Sequence, residues 1–334
     1  MNKCWKYVII VIIICSMLYV ASQIPRHQGR INESTASNVF TSIQENMTLV
    51  TAYFDLGRLR KGGGINKQGY MNWASAYRFV TNPLIVYTDS DDFYTFMTKV
   101  RTDFQKKTKI FKIERQSLWA FQLIDKIKAV FSQPGYPKHS PNTIMPAYSA
   151  TQHAKYALVS NAIRDKHFEN DFYAWIDIGY FRNSVKYNKF FQLLAPPDIN
   201  KNKIAVNQVY GFTKGLPPST IFRSNKVWVG GGMFIGTGKL ILQFEELYKR
   251  AIIYFLDKKI MNTDQQVLYS LYSQEGRQAL KPDIELQIYA PGNYSGDPWF
   301  YLGYHCRNTL PKDLCPPNRS NCLLRTITTA MMPK

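Results

Sequence analysis

The sequence predicts an α/β fold, a mostly parallel sheet flanked by helices, preceded by an N-terminal transmembrane helix. Three observations carry that expectation. Short apolar runs alternate with helix-spaced segments through the first half of the chain, the pattern of strand–helix–strand crossovers. The chain has 334 residues, 45% of them hydrophobic, which is ample for one large core or two smaller ones. One segment, Trp175-Ile176-Asp177-Ile178-Gly179-Tyr180-Phe181-Arg182, reads as a buried strand ending on a carboxylate with a glycine just beyond. In open α/β sheets ligands sit outside the carboxyl ends of strands, and glycine lets backbone come close there.

The elements follow in order. Lys3 and Lys6 precede an apolar run over residues 7–21, which Trp5 and the residues through Ile24 extend. A spanning helix needs roughly 20 apolar residues, so an uncleaved signal anchor and a signal peptide cut near Val20-Ala21-Ser22 are both open. The isoleucine-rich run favours the anchor. Either sends the rest of the chain into the secretory pathway, as a single-pass type II membrane protein or as a secreted one. Residues 25–46 are polar and read as a stem, 47–305 as the folded domain, and 306–334 as a cysteine-containing tail.

Residues 48–54 read as the first strand, followed by a basic glycine-rich stretch at 57–64. Tyr70, Trp73, Tyr77 and Val80 share one side of a helix, which Asn82-Pro83 ends. Residues 84–88 form a second strand. A helix follows to Val100, opened by Ser90 with acidic first-turn residues. Strands at 109–113 and 172–176 are separated by helices at 118–131 and 148–168, with a Pro/Gly/His-rich loop between the helices. The second half is less regular. Strands are expected at 203–206, at 227–229 running into Gly230-Gly231-Gly232, and at 285–289, with helices at 240–256 and 263–272.

With 42 Lys+Arg against 23 Asp+Glu, the formal net charge is +19. That suits anionic partners such as nucleotide diphosphates, acidic glycans or anionic membrane surfaces; a solvated lysine-rich surface is the plainer reading. Nucleic acid is not an expected partner, because zinc-finger, RNP-like and basic-zipper patterns are missing from the sequence. Asn32, Asn46, Asn293 and Asn318 head glycosylation sequons. Cys4 and Cys15 belong to the anchor. Cys306, Cys315 and Cys322 cluster near the C-terminus, and one disulfide among them is expected, its pairing open.

Residues 48–57, 82–89 and 175–182, the glycines from Gly230, and Asp264-Gln265-Gln266 resemble the HtrL/YibB-like family, which looks like a branch of the GT-A-fold glycosyltransferases. The resemblance covers about residues 48–304. It implies a GT-A-like fold, a nucleotide-sugar donor, a glycan or glycoprotein acceptor, a Golgi setting and a divalent metal (Mn or Mg), often held by Asp-x-Asp. A non-catalytic glycan-binding protein retaining the fold is the alternative. An anchored protein whose basic face binds acidic polymers is a third.

Asp177 is the leading catalytic and metal-ligand candidate, although Asp177-Ile178-Gly179 lacks the second carboxylate; a turn-capping Asp is the competing reading. Asp89-Ser90-Asp91 is the literal Asp-x-Asp, but it reads first as a helix cap, with Asp89 kept as a donor contact. By similarity the end of the first strand receives base and ribose, where Tyr53 can stack and Asp55 can accept hydrogen bonds. A basic residue on the helix before Asp177 reaches the diphosphate in related enzymes, which points to Lys155 ahead of Arg164; His153 reads as a structural histidine. Arg58, Arg60 and Lys61 could grip phosphate or lie in a surface loop. By resemblance Gly179, Gly231 and Gly232 line the donor floor. Asp264 is either a catalytic carboxylate or a first-turn acid stabilised by the helix dipole. His305 could be a further metal ligand, as in some GT-A enzymes, or a structural histidine beside Cys306.

Overall fold

The computed structural model describes residues 46–57, 66–186 and 189–310. The expected anchor, the stem, Arg58, Arg60, Lys61, Asn32, Asn318, Cys315 and Cys322 lie outside the described residues. Among the described residues no helix is long and apolar enough to cross a membrane.

Seven strands form the main sheet: β1 (Met47–Tyr53), β2 (Leu84–Thr88), β3 (Thr108–Lys112), β4 (Phe172–Ile176), β6 (Lys203–Gln208), β7 (Val229–Thr237) and β8 (Glu285–Tyr289). Their order is β3-β2-β1-β4-β7-β6-β8. β1 pairs in parallel with β2 and β4, β2 with β3, and β6 with β8, while β7 runs antiparallel to both its neighbours. The expected α/β sheet is therefore present and mostly parallel. A separate ribbon, not foreseen, pairs β5 (Phe191–Leu193) with β9 (Arg307–Thr309).

Both faces of the sheet are covered, which is why its central strands read as unbroken apolar runs. Successive residues alternate between two cores. Val50, Tyr173 and Trp175 join one cluster with the helices α5 (Lys155–Arg164), α7 (Gly238–Asp257) and α8 (Asp264–Tyr272). Met47, Leu49, Phe172, Ala174 and Ile176 join the other, with α1 (Lys67–Ala74) and α2 (Asp91–Val100).

Helix boundaries differ from expectation for local reasons. The helix expected over 70–80 is α1 followed by a 3-10 turn at Ser75–Phe79. Only Ile124–Phe131 (α3) is α-helical in the 118–131 segment. The long helix before β4 is two, α4 (Pro146–His153) and α5, meeting at Ala154. It stops at Arg164 because Lys166 adopts a left-handed φ of 49°. A short helix, α6 (Pro218–Arg223), was not foreseen. The chain closes with α9 (Gln274–Leu280) and α10 (Tyr301–His305).

From β1 the chain steps outward to β2 and β3, then returns to the far side of β1 to lay down β4. Strand order reverses at the β1/β4 seam, and outside the carboxyl ends of strands at such a seam the sheet leaves a crevice.

Candidate active site

A cavity of about 440 Å³ opens at that seam. Its walls come from the end of β1 (Ala52, Tyr53, Phe54), α1 (Tyr70, Trp73), α4 (Tyr148, Thr151, Gln152), the segment after β4 (Asp177 to Tyr180, with Arg182), Gly232 of β7, and Phe300. The volume falls within the usual range for small-ligand sites, and the aromatic lining suits flat rings.

Lys155 also lines this cavity, although its side chain is only 2% exposed. Its ammonium donates to the Gly231 carbonyl at 2.7 Å and to Asp264 Oδ2 at 3.0 Å, and lies 3.2 Å from Asp177 Oδ1. An ammonium has three donors; here two are hydrogen-bonded, to Gly231 and Asp264, and Asp177 completes an ion pair. Lys155 thus sits between two carboxylates, Asp177 and Asp264. Burial alone would push its proton off, but the two neighbouring carboxylates outweigh that and raise its pKa.

Asp177 sits at the carboxyl end of β4 with its side chain 43% exposed. Its Oδ1 accepts the indole N–H of Trp175 at 2.7 Å in addition to facing Lys155. Its backbone is fixed as well: Asp177 N donates to Gly232 O at 2.9 Å and Tyr180 N to Asp177 O at 2.9 Å. One oxygen is thus locked by an indole and an ammonium, and the other borders the cavity.

Asp264 is the first residue of α8, behind a capping box made by Thr263 and Gln266. It is both the first-turn acid and the buried partner of Lys155, and it does not line the cavity. Burial raises its pKa, opposed by Lys155. The glycines of β7 serve space here. A Cβ on Gly231 would stand 2.2 Å from Asp264 Oδ2, and one on Gly232 would stand 3.1 Å from the Tyr180 ring. At Gly179 a Cβ would fall 2.6 Å from the Trp73 ring, so that glycine lets Trp73 pack against the turn after β4.

Other expected residues are placed differently. Tyr53 lines the cavity, but one face of its ring already stacks on Phe93, with centroids 4.4 Å apart. Asp89 accepts the Asp55 N–H at 2.8 Å and pairs with Arg115, which also donates to the Asp55 carbonyl at 2.7 Å. Asp55 accepts the Gly57 N–H at 3.1 Å. These two acids build the turn after β1 and do not line the cavity. Ser90 caps α2, as the capping reading of Asp89-Ser90-Asp91 expected. Arg164 binds the buried Glu245 at 2.6 Å, tying α5 to α7. His153 is a core residue, with its ring nitrogens near Tyr248 Oη (2.9 Å) and Ser149 Oγ (3.3 Å).

His305 is exposed, stacks on Tyr301 and does not line the cavity. Cys306 is a buried free thiol. Asn46 is half-buried beside β1, where its amide oxygen accepts hydrogen bonds from Asn82 and Gln192. Asn293 is exposed.

The donor set does not fit a divalent ion. Among the described residues no three His, Cys, Asp or Glu side chains gather to hold one. Asp177 alone brings a carboxylate to the cavity, and a cation beside it would meet the Lys155 ammonium.

The sequence did not single out Trp73, Tyr148, Arg182 and Phe300 as cavity residues. A weak signal existed for two of them: Trp73 lies on the apolar stripe of α1, and Arg182 closes the segment that begins at Trp175. A family model described as "Bacterial protein of unknown function (HtrL_YibB)" matches residues 45–278. No curated protein matches the chain.

Proposed function

We propose that this chain, which belongs to the HtrL_YibB family, is a glycosyltransferase that moves a sugar from a nucleotide-sugar donor to a hydroxyl of a glycan or protein. One observation carries the reading. A carboxylate held on one oxygen by Trp175 and Lys155 borders, with its other oxygen, an aromatic-walled cavity at the strand-order reversal of an α/β sheet.

In this reading the donor's base and sugar lie against the aromatic walls. The acceptor hydroxyl approaches the anomeric carbon, and Asp177 Oδ2 takes its proton. The new bond forms from acceptor oxygen to anomeric carbon as the carbon–phosphate-oxygen bond breaks, its electron pair leaving with the nucleoside phosphate. Asp177 is oriented before substrate arrives, so little rearrangement accompanies the step. Lys155 and Asp264 act through Asp177 as positioning residues.

The test is a panel of nucleotide sugars offered with glycan acceptors, reading release of free nucleotide. The reading expects release by the wild type and a fall of about 100-fold or more in Asp177→Asn, the scale of a lost general base. No turnover of any donor, or an unaffected Asp177→Asn, would refute it. A non-catalytic glycan binder is favoured by the lone carboxylate in the cavity wall; donor or glycan binding with no release selects it.

A further inference from the structure

The donor's phosphates need a cation, and the charge of Lys155 is already paired with two carboxylates, Asp177 and Asp264. Lys67 pairs with Asp92 and stands 3.7 Å from Asp55, while Arg115 is held by Asp89 and the Asp55 carbonyl. Neither lines the cavity. Arg182 does, and among the described residues it makes no ion pair. Its guanidinium carbon lies 5.1 Å from the Trp73 ring centroid and 4.4 Å from that of Phe300.

Stacking engages the faces of a guanidinium and leaves its in-plane N–H groups for a planar, bidentate anion contact. The local backbone fixes this arrangement. Arg182 N donates to Gly179 O at 3.2 Å, and the missing Cβ of Gly179 lets Trp73 sit where it meets the guanidinium.

We infer that Arg182 holds the phosphate groups of the donor, and that this cavity binds a nucleoside diphosphate without a divalent ion. The inference rests on the glycosyl-transfer reading and deepens it by naming the group that carries the leaving-group charge. As the anomeric carbon–oxygen bond breaks, the electron pair arrives on a phosphate oxygen facing a fixed guanidinium. No proton moves at Arg182. An ammonium-braced carboxylate and a stacked arginine together do what a metal between carboxylate and phosphate does elsewhere.

Calorimetric titration of UDP, GDP, CDP and ADP into the full chain tests this, with EDTA or with added Mn or Mg, for wild type, Arg182→Lys and Arg182→Gln. Melting curves of each variant confirm folding. At least one nucleotide binds the wild type, with affinity unchanged within about twofold by EDTA and lowered about tenfold or more in Arg182→Gln, Arg182→Lys falling between. Binding that requires the metal, or an Arg182→Gln protein that binds as the wild type does, overturns this inference and leaves the donor reading standing. No binding of any nucleotide to the wild type, with or without metal, overturns the donor reading and the inference with it.

Discussion

Arg101 and Lys155 are both cations buried to within a few per cent of full enclosure, at opposite ends of the strands. Arg101 lies at the amino ends of β2 and β3. It donates to the carbonyls of Tyr77 (2.9 Å), Val80 and Asn82 (3.0 Å) and to Thr108 Oγ1 (2.9 Å), with its plane over Phe104. Its partners are neutral, and burial with no carboxylate beside it pulls its pKa down. Lys155 lies at the carboxyl ends, between two carboxylates that raise its pKa, and its neighbourhood opens on a cavity. Burying a cation carries a desolvation cost at either end. Carbonyls offset it in a sealed knot that ties chain segments together. Carboxylates offset it while leaving one oxygen at a cavity, which is of use only if something binds there.

The contrast predicts separable effects. Arg101→Met strands three carbonyls and should lower unfolding free energy by about 5 kcal/mol, while the protein that remains folded keeps its ligand affinity. Denaturant titration paired with nucleotide binding checks this, and a selective loss of affinity would break the contrast.

His153 adds a third buried group, whose pKa burial pushes down to about 3 from 6.5. A depressed histidine contributes stability that is fully present above the unfolded value and lost as pH falls toward the folded one. Between pH 6.5 and 3 that amounts to roughly 4–5 kcal/mol. His153→Gln should lose correspondingly less over the same interval in denaturant titrations; parallel curves would refute the assignment.

Lys155→Met leaves Asp264 buried and unpaired, at a cost of about 3 kcal/mol; Lys155→Met with Asp264→Leu should recover about 2 kcal/mol of it. Neither variant should turn over donor, because Asp177 loses its brace. Full activity in the stabilised double variant would show that the pair serves folding alone. Gly231→Ala drives a methyl into Asp264 and should cost about 1–3 kcal/mol in chemical denaturation.

Much of the first half was legible. β1, β2 and β4 are short apolar runs that keep both faces buried, and Asn82-Pro83 and Ser90 punctuate them as turn and cap chemistry requires. The antiparallel direction of β7 was not legible, because alternation of side chains reads the same in either direction. Nor was the three-residue ribbon of β5 and β9, too short to carry a period. Asp177 could be found from its place after a buried strand. The partners of Lys155 could not: Gly231 and Asp264 are 76 and 109 positions away. The same holds for Arg182, whose ring contacts come from Trp73 and Phe300 on distant segments.

Indole N–H resonances give the most direct test of where a donor binds. Trp175 bonds Asp177 and Trp73 stacks on Arg182, both in the cavity wall, whereas Trp119 and Trp228 do not line the cavity. Titration of the nucleotide sugar that the protein turns over should shift the Trp73 and Trp175 signals in step and leave Trp119 and Trp228 unmoved. Saturable shifts confined to Trp119 or Trp228 would contradict the account.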